Sequence, residues 1–85
     1  MLDDSAVNRA IYKCLKNNPE GATGSQVRAQ VARDYDVKLS KHYMPIRIKY
    51  LKDKGYIEGK NRKWFATPRF HIDAELWEHK NDGRP

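Results

Sequence analysis

The chain has 85 residues, 33% of them charged, and a formal net charge of +6; at this length one domain with a thin core is expected, without room for a ligand-sensing domain or a small-molecule pocket. Its single cysteine, Cys14, excludes an intramolecular disulfide and a paired-cysteine metal site, which fits a reducing compartment. No apolar run approaches the roughly 18–20 residues of a membrane span, and the start MLDDSAVNRA is acidic and polar rather than signal-like, so an intracellular chain is expected, cytoplasmic or nucleoid-associated, or nuclear in a eukaryote.

Val7, Ala10, Ile11, Cys14 and Leu15 recur with helical spacing and predict a first helix, which Asp3, Asp4 or Ser5 can cap. NNPEG at 17–21 ends it. Thr23 and Gln26 in TGSQ form a capping box for a second helix whose inner positions are Val27, Val31 and Tyr35. In DYDVKLS, Val37 and Leu39 alternate with polar residues as in a short extended link, and Ser40 offers a new N-cap. A third helix over about 40–54 buries Met44, Ile48 and Leu51 and stops at Gly55; Pro45 requires that it begin nearer His42 or bend. YIE and KWFAT predict two strands joined across GKNR, with Trp64 inside against Ile57 and Phe65 partly covered by the tail. In the tail, RFHI predicts an extended piece, DAELWEHK a two-turn helix capped by Asp73, and NDGRP disorder.

The charge is unevenly placed. Residues 36–63 hold nine basic and three acidic groups, which accounts for the entire +6, while the rest of the chain sums to zero. A neutral scaffold with one basic third is an electrostatic footprint for a polyanion.

The capped second helix TGSQVRAQVARDY, the stretch MPIRIKYLKDKGYI with apolar residues seven and four positions before the glycine and one two after it, and KWFAT carry a resemblance to the winged helix-turn-helix family, including its linker-histone-like members. It covers residues 5–67. The resemblance implies an α+β, mostly α fold: a three-helix winged helix-turn-helix with a short two-stranded wing and a C-terminal extension. It further implies a third helix in the major groove of double-stranded DNA and a hairpin wing on the adjacent backbone or minor groove. The domain would span 1–68, with 69–80 an extension that packs on it or forms a dimer contact, and 81–85 a disordered tail.

With Met44 as reference and about 100° per residue, Ile48 and Leu51 lie near the core direction, whereas His42, Ile46, Lys49 and Asp53 cluster opposite it. That outer face is the one DNA would meet. Ile46 there is either a scattered exposed side chain or a contact for a thymine methyl. Lys38, Lys41, Lys49, Lys60, Arg62 and Lys63 are candidates for phosphate, and His42 for phosphate or a base edge. Ser40, Arg47 and Asn61 complete the set, and Ser25 and Gln26 either only cap the second helix or hold one more phosphate. A short wing is expected to touch phosphate.

Phe70, Ile72, Leu76 and Trp77 are too apolar for an exposed tail, and either fold back onto Phe65 or meet a second copy. His42, His71 and His79 have no recognised ligand spacing, and no phosphate loop or nucleophile motif is present. No enzyme, metal or cofactor is expected. The leading expectation is a DNA-binding protein, most simply a small transcriptional regulator controlled by abundance or a partner. The alternative is a winged-helix adaptor inside a larger assembly, docking through RFHIDAELWEHK.

Overall fold

The apolar stripe of the first helix, α1 (Asp4–Lys16), is buried along its whole length, from Val7 to Leu15. The computed structural model describes the backbone of residues 4–82 and the side-chain environment of residues 6–76. The α1 cap among Asp3, Asp4 and Ser5, the side chains of Trp77 and His79, and residues 83–85 lie outside that description. Three helices and a two-stranded antiparallel hairpin are followed by a fourth helix, an α+β and mostly helical architecture.

The second helix, α2 (Gly24–Tyr35), starts on the capping box, with Thr23 Oγ1 accepting from the Gln26 amide and Gln26 Oε1 from the Thr23 amide. Asp36 ends it in a left-handed conformation, φ 57°. Val37 and Leu39 are then buried and Lys38 exposed, as their alternation predicts. The third helix, α3 (Tyr43–Asp53), buries Met44, Ile48 and Leu51. Its start is set by Ser40, whose Oγ accepts from the Tyr43 amide at 2.9 Å and whose carbonyl accepts from Met44 at 3.0 Å. Pro45 is therefore the third residue of the helix, in the first turn where no amide donor is required, and the helix needs no bend.

At the far end of α3 the Gly55 amide donates to the Lys52 carbonyl and the Tyr56 amide to that of Leu51, with Gly55 at φ 80°. That closure turns the chain directly into β1 (Ile57–Lys60), paired with β2 (Lys63–Ala66). Ile57, Gly59, Trp64 and Ala66 share one face of the hairpin, with Ile57 buried in the core. Trp64 is half-buried rather than enclosed, and Phe65, also half-buried, lies against Gly21 of the α1–α2 link. A Cβ on Gly21 would sit 2.6 Å from Phe65 Cζ, and its φ is +95°, so only glycine fits there. Next to it Ala22 and Trp64 exchange two backbone hydrogen bonds of 3.1 and 2.8 Å, which tie the hairpin to the link before α2.

The tail departs most from expectation. It is one continuous helix, α4 (Pro68–Asp82), that includes both the RFHI predicted as extended and the first two residues of NDGRP. Thr67 receives the Phe70 amide at its carbonyl and Pro68 takes the first helical position, a start signal that outweighs the strand-like composition of the next four residues. Asp73 is not a cap: its carboxylate accepts from the Tyr56 hydroxyl at 2.8 Å. Phe70 is fully buried, edge-on to Tyr12 and stacked on Tyr56, and Ala74 is buried beside it. Phe70 and Ala74 thus belong to the same single core as α1 to α3 and the hairpin. Among the described residues no helix is long and apolar enough to cross a membrane.

Candidate nucleic-acid interface

The first turn of α2, one flank of α3 and the base of the hairpin converge on a groove of about 710 Å3, which corrects the expectation that so short a chain has no room for a pocket. Gly24, Ser25 and Arg28 form its α2 wall, and Trp64 borders it on the hairpin side. Met44, Pro45 and Ile48 supply the apolar lining, with Lys41, Lys49, Lys52 and Asp53 around it. Four cations thus border the groove against one acid among the described lining residues. That acid, Asp53, pairs with Lys49 at 3.0 Å, but both side chains are well exposed, so an anionic ligand competes for the lysine at little cost.

Local structure explains the wall. Arg28 Nε donates to the Leu39 carbonyl at 2.6 Å, which ties α2 to the link before α3. In the α2 turn the Gln26 amide is held by Thr23 Oγ1 and that of Val27 by the Thr23 carbonyl. The amides of Gly24 and Ser25 belong to the helix's unpaired first turn.

The hairpin tip lies beside the groove. Its turn is two residues, Asn61 and Arg62 at φ 53° and 65°, shorter than the GKNR loop expected because Gly59 and Lys60 continue β1. Two left-handed residues in succession give the type I′ turn that suits the twist of a hairpin. Its second position favours glycine, and here it is arginine. Lys60 and Lys63 are directly opposite each other on the last rung, a like-charge pairing that weakens a hairpin.

The expected contact residues divide on inspection. Ser25, Lys41 and Lys49 line the groove, and Lys60, Asn61, Arg62 and Lys63 form the tip. Lys38, His42 and Ile46 are exposed but lie outside the groove, Ile46 at 64% exposure. Ser40 and Gln26 are committed to the helix starts through their side-chain oxygens. Arg47 requires correction. It is buried, stacked 5.5 and 4.7 Å from the Tyr43 and Tyr50 ring centroids, with Nη2 donating to the Tyr43 hydroxyl at 2.7 Å and Nη1 to Asn8 Oδ1 at 3.4 Å. It fastens α3 to α1 and is not available to phosphate.

A second correction concerns the expected dimer contact. Phe70 is enclosed in its own chain's core, while Ile72 and Leu76 are 62% and 58% exposed; the Trp77 side chain is outside the described residues. Arg28, Lys52 and Trp64 are groove residues that the outer-face argument omits. Lys52 was legible in the sequence, since its angle on the helical wheel falls between those of Lys41 and Lys49; Arg28 and Trp64 reach the groove only through tertiary packing. Comparison with protein-family models, curated proteins and solved structures returned no match.

Proposed function

We propose that this chain is a winged helix-turn-helix protein that binds double-stranded DNA, with α3 in the major groove and the basic hairpin as a wing on the phosphate backbone, and that it acts as a small transcriptional regulator. The observation that carries this reading is the hairpin tip. Lys60 faces Lys63 across the ladder, and Arg62 holds a backbone conformation that suits glycine. Each choice weakens the isolated hairpin. A polyanion at the tip offsets both, because phosphates neutralise the facing lysines and engage the arginine.

The groove adds Arg28, Lys41, Lys49 and Lys52 to the same footprint. About four to six phosphate contacts give a log–log dependence of affinity on salt with a slope of roughly −4 to −5. A titration of duplex DNA at several salt concentrations tests this. A slope near zero rules out the electrostatic reading, and no binding of any duplex at low salt leaves the adaptor, which would dock through the exposed Ile72 and Leu76 of α4. The same two side chains support homodimerisation as an accompanying proposal. Sedimentation equilibrium at high micromolar concentration decides it, and a strict monomer excludes it.

A further inference from the structure

The groove contains more than phosphate binding requires. Phosphates and sugars on the outside of a duplex call for cations and amide donors, yet much of this lining is apolar: Met44, Pro45, Ile48 and the indole of Trp64. Trp64 is half-buried, packs against the core and still borders both the groove and the wing tip. A Cβ on Gly59 would stand 3.0 Å from Trp64 Cζ3, so the indole rests on the bare backbone of its cross-strand partner. A space of about 710 Å3 is within the range of sites that enclose small organic groups. Cations at the rim with an aromatic ring and aliphatic side chains inside is the chemistry of a single nucleic-acid strand, where bases stack on a ring and the backbone meets lysine and arginine.

We infer that the groove holds an unpaired nucleotide next to a duplex, its base against Trp64, Pro45 and Met44 and its phosphates at Lys41, Lys52 and Arg28. This rests on the nucleic-acid reading above and narrows it: the preferred ligand is a duplex that ends in, or opens into, a single strand. Charge complementarity selects this occupant, since the rim carries four cations against one described acid. A base that is already unpaired enters without the cost of leaving a stack.

The test compares three labelled DNAs at one salt concentration: a blunt duplex, the same duplex with a short thymine overhang, and the same duplex with an overhang of abasic sugar-phosphates. The thymine overhang should bind about tenfold more tightly than the blunt duplex, and the abasic one should regain little of that preference. Trp64→Phe should keep the preference and Trp64→Leu should abolish it. Should Trp64→Leu fail to fold, the Trp77→Phe chain supplies the second readout, as Trp64 emission should be quenched by the thymine overhang and not by the abasic one. Equal affinity for thymine and abasic overhangs, a preference that survives Trp64→Leu, or an unquenched Trp64 overturns the inference and leaves duplex binding standing. Binding of the thymine overhang without the blunt duplex supports the inference and removes the duplex reading; binding of none removes both.

Discussion

Arg47 and Arg62 are both arginines within the basic third of the chain, and the fold puts them to opposite uses. Arg47 lies between two tyrosine rings and bonds across to Asn8 on α1. Replacing it with alanine removes that packing and leaves the Asn8 and Tyr43 oxygens short of a donor, at a cost of about 2–3 kcal/mol in a denaturant melt. The salt slope of DNA binding should not move. Arg62 behaves in reverse: its φ of 65° is relieved by glycine, so Arg62→Gly should gain about 0.5–1 kcal/mol while making the salt slope shallower by about one. Lys60→Ala combined with Arg62→Ala should weaken binding to all sequences alike, and a change in sequence preference would instead assign the wing to bases.

Among the elements, α1 to α3 and the hairpin are legible because each has its own periodicity and its own start or stop residue. Truncation distinguishes the buried face of α3 from its exposed one. Ile48→Ala, at a buried position, should cost about 2–4 kcal/mol, and Ile46→Ala, exposed on the opposite side, should leave the melting temperature nearly unchanged. The tail was not legible in the same way. Arg69, Phe70, His71 and Ile72 alternate polar and apolar as a strand does, and the deciding signal is the Thr67–Pro68 pair before them, together with a place for Phe70 between Tyr12 and Tyr56 that exists only in the folded chain. Phe70→Ala should therefore cost about 3–5 kcal/mol, and truncation after Pro68 should destabilise the protein. The candidate site was legible as a charge count but not as a shape. Burial of Arg47 depends on a partner 39 residues away, and the groove depends on a wall from α2 that no pattern within α3 reveals.

For the molecule as a whole, two protons, one on the buried Cys14 and one on the partly buried Tyr56, link stability to pH. Burial, and then the neighbouring Asp73, push the Tyr56 hydroxyl above its ordinary pKa of 10.0; burial, and then Asp34, raise the Cys14 thiol above 9.0. Both groups keep their protons to higher pH in the folded chain than in the unfolded one. Their contribution is complete below the unfolded pKa values and is lost as the pH rises through the folded ones. Urea melts should show stability falling from about pH 9 upward, and Tyr56→Phe should make the fall shallower. The two hydrogen bonds between Ala22 and Trp64 act at this scale as well. They join the base of the hairpin to the residue just before the α2 cap, so the wing and the α2 terminus move as the two jaws of a fixed caliper. On the proposed DNA-binding reading, a clamp held to one gauge would make the duplex conform to it, and sequences whose grooves already match that gauge, or deform to it cheaply, would be favoured even at positions no side chain touches.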